Sequence, residues 1–472
     1  MLLILHTLLF YGIQAQTLSL QPGDVQGFEY TTKNGDIAEV FLNIPYAAPP
    51  VGELRFEKPS PPIPWKGIRN GTAFGATCHP HAYQAALQPP PNEDCLTLNI
   101  IRPKKEAPEK GFPILVWVHG GGYEIGSASL YGYKGFADIY IPDDIVVVTI
   151  QYRVGVYGFF STGDSRIPGN LGLFDMAAAF KLSNANFGGD RSRITAWGLS
   201  AGGSAVGQLA LSPITRDYIA GSIEMSGSPW AYWALGSAVA NDSLKLAETS
   251  IVAKTVNASL HGYTKDGLGC IKWGPVIDGE FLQHPDEMTI TAPPKPSIVG
   301  VSNKDASFFT IKGLSPYIHK FGVKPEDFRK FDRNKLIQTL EKLIGNYYKN
   351  YTASVLEELI KYYVERDEEH SYEFYLDRYT EFMSDVLLNV ASVDGILARR
   401  KAGWKMYAYS FDHYNDAIWN SDVPERLRGS PHVNEYPYIF GLFILGNFEM
   451  GEKEQIVADV IQQSFINFVK SG

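Results

Sequence analysis

The stretch Arg193-Ile-Thr-Ala-Trp-Gly-Leu-Ser200-Ala-Gly-Gly203 decides how this 472-residue chain folds. Arg193 to Trp197 is a short apolar run that reads as a buried strand, and Ala201 to Leu211 is an Ala/Leu-rich run that reads as a helix. Between them stands Gly198-Leu-Ser200-Ala-Gly202, a G-x-S-x-G turn in the strand-to-helix setting that gives it meaning. Such a turn is tight enough to strain the serine backbone, and the flanking glycines let strand and helix close on it. Ser200 is thereby held clear of a sheet, at the positive end of a helix, as a candidate nucleophile.

Outward from this turn, short β-branched runs alternate with longer mixed segments. That is the pattern of βαβ units in an α/β fold, with a central, mostly parallel sheet and helices on both faces. Leu115 to His119, Ile145 to Ile150, Ser297 to Val301 and Lys405 to Ser410 are further strand candidates. A charged, helical stretch from about Pro325 to Arg400 reads as helices decorating one end of the sheet. There is no internal repeat or linker tract. Gln88-Pro-Pro-Pro-Asn92 is a loop, because strand-like sequence resumes at Leu96. One domain over residues 16–472 is the expectation.

The N-terminus carries an address. Leu2 to Ile13 is apolar but shorter than the ~20 residues a bilayer span needs. It suits a signal peptide, residues 1–15, cleaved after Ala15, and so a secreted or luminal protein with no stable membrane insertion. Sequons at Asn70, Asn241, Asn257 and Asn350 fit that route. Forty-two Lys+Arg against 51 Asp+Glu give a net charge of −9 without a basic cluster, which argues against nucleic acid as a partner. At 45% hydrophobic and 20% charged, the chain can bury a large core and is not a disordered one. Three cysteines are too few for a disulfide scaffold. The oligomeric state is not written in the sequence.

His119-Gly-Gly-Gly-Tyr123 ends the Leu115 strand. Consecutive glycines there allow bare N–H groups to converge on a developing oxyanion, and the candidate donors are Gly121, Gly122 and, after the nucleophile, Ala201. A serine nucleophile needs a base and the base an orienting carboxylate. Ten histidines are present, and the chain order Ser, acid, His points to His432, in a Pro- and Gly-flanked loop after the Lys405 strand. Asp305, just past the Ser297 strand, fits the acid best, with Asp278, Asp286 and later acids still open. This chemistry calls for no metal and no cofactor.

Three further segments carry a resemblance. Phe41-Leu-Asn-Ile-Pro-Tyr-Ala47 with Pro49-Pro-Val-Gly-Glu-Leu-Arg-Phe56, Glu93-Asp-Cys-Leu-Thr-Leu-Asn99, and Asn186-Phe-Gly-Gly-Asp-Arg-Ser-Arg193 through Gly203 resemble, in order, three signatures of the type-B carboxylesterase/cholinesterase family. The resemblance runs from about Gly23 to the C-terminus and implies an α/β-hydrolase fold. It implies Ser200, Asp305 and His432 as a catalytic triad hydrolysing a small-molecule carboxylic ester through an acyl-enzyme. Most family members have Glu where Asp305 stands. It also implies Ser226 as a serine supporting the acid, a Cys78–Cys95 disulfide, and Trp230 and Trp233 near an acyl pocket. The family usually has Glu at the position of Leu199, and cholinesterases carry a Trp in the first disulfide loop. His79 to Asp94 contains none, so the resemblance is to carboxylesterases more than to choline-ester hydrolases. The stretch from Asn241 to Gly274 and the C-terminus are short for the family, leaving Cys270 without its usual partner. An adhesion or binding protein on the same fold is the alternative, although such members typically lose triad residues.

Overall fold

The computed structural model describes residues 16–472 apart from 79–88, 165–166, 184–186, 236–270, 272, 315–318, 349–351, 367–369 and 447. Residues 1–15, Cys270 and the sequons at Asn241, Asn257 and Asn350 therefore lie outside the described residues.

Among the described residues, eleven strands form one sheet: β1 (Gln16–Leu20), β2 (Gly23–Thr31), β3 (Ile37–Pro45), β4 (Ile68–Asn70), β5 (Thr97–Pro103), β6 (Phe112–Val118), β7 (Val146–Ile150), β8 (Gly189–Leu199), β9 (Gly221–Met225), β10 (Ser297–Ser302) and β11 (Met406–Phe411). Their order is β1-β2-β3-β5-β7-β6-β8-β9-β10-β11, with β4 beside β2. The strands from β1 to β7 along that path pair antiparallel, and those from β7 to β11 pair parallel. Every residue of β6, β7 and β9 is buried, so both faces of the central sheet are covered. That is why β6 and β7 read as near-continuous apolar runs rather than as alternating ones.

The expected strands are all present, with ends displaced by a few residues, and the helix after Ser200 spans Ala201–Leu211 as read from the sequence. The strand β9 was not among the expectations. Its Ser222 and Glu224 interrupt the apolar run, yet both are fully buried. The other helices that matter here are α1 (Leu171–Ser183), α2 (Ala201–Leu211), α3 (Arg333–Tyr348), α4 (Tyr372–Ser384), α5 (Val390–Lys401), α6 (Tyr436–Phe440) and α7 (Glu452–Ser471). Helix α2 is buried along its whole length, which its small side chains permit. Under β6 and β8, Trp117 and Trp197 meet edge to face with centroids 4.7 Å apart, and Phe440 of α6 and Phe465 of α7 close on them at 5.1 and 5.8 Å from Trp197.

Helices α3 to α5 occupy the stretch read as helical decoration. Of these, α4 is tied to the segment that follows β10: Ser384 Oγ accepts from Ala306 N–H at 3.0 Å, and Thr310 and Thr380 hydroxyls meet at 2.8 Å. Cys78 and Cys95 are disulfide-bonded. Among the described residues, no helix is long and apolar enough to cross a membrane. The architecture is α/β, a mixed and mostly parallel sheet flanked by helices, consistent with an α/β-hydrolase fold.

Candidate active site

Five neighbouring parallel strands bring the candidate residues to one edge of the sheet. Gly121 and Gly122 follow β6, Ser200 follows β8, Ser226 follows β9, Asp305 follows β10, and the loop bearing His432 comes after β11. Adjacent strands lie about 4.8 Å apart, so side chains at their carboxyl ends converge, the usual place for a site in a parallel sheet.

Ser200 sits at φ 60°, ψ −127°, a region that non-glycine residues avoid. Its N–H donates to Met225 O at 2.8 Å and its carbonyl accepts from Ser204 N–H at 2.9 Å, so the strained backbone is fixed from both the sheet and the helix. The space allows no side chain beside it. A Cβ on Gly202 would lie 2.2 Å from Val118 O, and one on Gly120 would lie 2.6 Å from Leu199 O and 3.1 Å from Ser200 Cβ. The glycine loop thus presses directly on the serine turn. Gly121 takes φ 123° and Gly122 φ 61°. The Gly121 carbonyl is occupied by Glu124 and Ile125 N–H, whereas no hydrogen bond among the described residues uses the Gly121 or Gly122 N–H.

Asp305 is fully buried, and each of its oxygens is engaged. Oδ1 lies 2.6 Å from His432 Nδ1, and Oδ2 accepts from Ser226 Oγ at 2.6 Å and Ser302 N–H at 3.0 Å. With the carboxylate accepting, Nδ1 of His432 carries the proton and Nε2 is left free to act as a base. Phe309 and Phe308 pack on the imidazole at 5.5 and 5.9 Å between centroids. The residue after His432, Val433, holds φ 68°, uncommon for a β-branched side chain. Two of the acids left open by the sequence are employed elsewhere. Asp278 caps its own turn through Glu280, Phe281 and Leu282 N–H, and Asp286 accepts from Trp230 Nε1 at 2.8 Å.

Trp230 lies against the Arg399 guanidinium, 5.6 Å from the ring centroid. Trp233 is buried, donates from Nε1 to Leu387 O at 2.6 Å, and sits 6.3 Å from the Tyr123 ring that follows the glycine loop. Ile271 faces Gly122, with side-chain atoms 3.8 Å from where a Cβ would stand. Leu199 is fully buried.

Two titratable groups escaped the sequence reading. Glu435, three residues past His432, is fully buried, and burial together with the Asp305 charge pushes its carboxyl up to about 8. It accepts from Tyr409 OH at 3.4 Å. His119, also fully buried and stacked 4.2 Å from Tyr152, is pushed down to about 4 by burial. Its Nδ1 meets Gly120 O at 2.9 Å, so it is a neutral structural imidazole rather than a second base. Glu224, in a strand buried along its whole length, forms a buried ion pair with Arg399 that the sequence alone does not announce.

The Carboxylesterase family profile matches residues 14–472. Gut esterase 1 of Caenorhabditis elegans is 40% identical over 95% of this chain and 84% of its own length. Gut esterase 1 of Caenorhabditis briggsae is 39% identical over 100% of this chain and 88% of its own. Cocaine esterase of Homo sapiens is 30% identical over 92% and 79%. With residues 14–472 matching the family profile and two esterases of about 40% identity aligned over 84–88% of their own length, this chain belongs to the carboxylesterase family and is a serine hydrolase of that class.

Proposed function

We propose that the protein hydrolyses neutral carboxylic esters with small to medium acyl groups, using Ser200, His432 and Asp305. His432 Nε2 takes the Ser200 proton as Oγ attacks the acyl carbonyl. The N–H groups of Gly121, Gly122 and Ala201 receive the oxyanion, each such donor being worth roughly 10²–10³ in rate. His432 returns the proton to the departing alcohol, and water then repeats the two steps on the acyl-enzyme. The observation that carries this reading is the doubly engaged Asp305 carboxylate, 2.6 Å from both His432 Nδ1 and Ser226 Oγ.

The preference for uncharged esters is supported by Leu199. The residue before the serine is aliphatic rather than a carboxylate, Ile271 faces Gly122, Trp233 lies beside Tyr123, and Phe308 and Phe309 pack on the imidazole. We further propose one domain over residues 16–472 and export by an N-terminal signal. In support, a Cys78–Cys95 disulfide belongs to an oxidising compartment, and the exposed Asn70 sequon is available to a glycosyltransferase.

The test is hydrolysis of a short-chain chromogenic ester by the mature chain, with organophosphate labelling. Ser200→Ala is expected to abolish both turnover and labelling. Full turnover by that variant would sink the mechanism.

A further inference from the structure

We infer that Arg399 is a positioning residue for this reaction, acting through Glu224 and the end of β9 to hold Ser226 against Asp305. The inference rests on the reading of Asp305 as the group that orients His432. Helix α5 presents Ala391, Gly395 and Arg399 at four-residue spacing, hence on one face. All three grip the segment from Glu224 to Trp230. Ala391 O accepts from Ser228 Oγ at 2.7 Å. A Cβ on Gly395 would stand 2.8 Å from the Trp230 ring and 3.2 Å from Ser228 Oγ, so the helix backbone lies directly on that segment. Arg399 then closes the grip with a fork, Nη1 to Glu224 Oε1 at 2.5 Å and Nη2 to Oε2 at 3.0 Å.

Both members of this pair are fully buried. The guanidinium carbon lies 5.6 and 5.7 Å from the ring centroids of Trp230 and Trp404, and Nε donates to Gly395 O at 3.1 Å. Glu224 Oε1 also accepts from Ser222 Oγ at 2.8 Å. Burying two charges costs several kcal/mol per ion before they attract each other, and an apolar pair of equal volume often serves stability as well. What a bidentate fork adds is direction, because it fixes the strand and the helix in one relative orientation.

That direction matters two residues further on. Ser226 holds φ 44°, a conformation that must be imposed by its surroundings. Its N–H is tied to Gly300 O at 2.7 Å and its Oγ to Asp305 Oδ2 at 2.6 Å. The segment carrying it is therefore clamped before by Glu224, after by Ser228, and across by β10. A continuous buried path runs from Arg399 through Glu224, Ser226 and Asp305 to His432.

The test uses the full chain, Arg399→Lys and Glu224→Gln, with Arg400→Ala as an exposed control on the same helix. Each variant is titrated for competent sites with an organophosphate, and kcat, KM, the pH profile of kcat/KM and the melting temperature are measured. Arg399→Lys keeps the charge but not the fork, and Glu224→Gln keeps the shape but not the charge. Both are expected to lower kcat per titrated site by roughly tenfold with KM within twofold. The pH profile of kcat/KM should differ from the parent's, because a poorly seated carboxylate orients the imidazole less well. Arg400→Ala should match the parent. Unchanged kcat per site and pH profile, with only a lower melting temperature, would make the pair a folding element and overturn the inference, as would failure of both variants to fold. Asp305→Ala, run alongside, separates the two readings. If it retains kcat, the proposed role of Asp305 itself is wrong; if it loses kcat while Arg399→Lys does not, only the role of Arg399 falls.

Discussion

Asp305 and His432 are joined twice, by side chains at 2.6 Å between Oδ1 and Nδ1 and by backbones at 2.9 Å from His432 N–H to Asp305 O. The second bond fixes the distance between the two main chains, so the side chain at 305 has a set gap to bridge. The Asp side chain spans that gap with Oδ1 2.6 Å from Nδ1. Asp305→Asn keeps shape and loses charge, and its amide can favour the wrong imidazole tautomer. Turnover of a chromogenic ester should fall by about 10³–10⁴. Asp305→Glu should retain a substantial fraction through loop adjustment. Equal activity in the two variants would remove Asp305 from the mechanism.

Ser226 gives the carboxylate its other side-chain hydrogen bond. Removing it with Ser226→Ala leaves Ser302 N–H as the remaining support of Oδ2. A hydrogen bond to a charged group contributes about 1.5–3 kcal/mol, which corresponds to roughly ten- to a hundredfold. The expected result is a fall of that size in kcat with KM nearly unchanged, while Ser226→Thr, which keeps the hydroxyl, retains more activity than Ala. A loss confined to KM would contradict the assignment.

These two residues also mark how far the sequence could be read. The serine turn and helix α2 were legible to the residue, because their chemistry is local: a tight turn, its glycines and a helix that begins at once. The choice of acid was legible only in part, since Asp305 fits best in the sequence but Asp278, Asp286 and later acids stay open there. Only packing assigns Asp278 to its own turn and Asp286 to Trp230 Nε1. Strand β9 was missed for a related reason. Glu224 makes it look half-exposed, and the partner that allows its burial, Arg399, stands 175 residues away.

Leu199, fully buried immediately before Ser200, is expected to set the charge preference of the site. Leu199→Glu would put a carboxylate where the wild type has an aliphatic side chain. That should disfavour neutral esters through desolvation and draw cationic ones. Measured as kcat/KM for a thiocholine ester against an uncharged thioester of the same acyl group, the cationic-to-neutral ratio should rise at least about tenfold, and the rise should shrink with added salt. An unchanged ratio would show that selection lies elsewhere in the pocket.

Glu435 and His119 give the folded protein opposite responses to pH. Glu435 is raised from 4.5 to about 8 by burial and the neighbouring Asp305 charge, so it keeps its proton in the fold where the unfolded chain has lost it. Its contribution to stability is complete below about 4.5 and is lost as pH rises to about 8. His119 is lowered from 6.5 to about 4 by burial, so its contribution is complete above 6.5 and is lost as pH falls towards 4. Between 4.5 and 6.5 the two slopes cancel, one proton against one. Between 6.5 and 8 Glu435 acts alone, and the folding constant should fall roughly tenfold per pH unit from this group. Urea unfolding across pH 5–9 reads this directly. Glu435→Gln should flatten the curve between 6.5 and 8 and bring out the His119 rise between 4.5 and 6.5. A variant whose curve follows the parent through that upper window would show that Glu435 is already ionised in the fold.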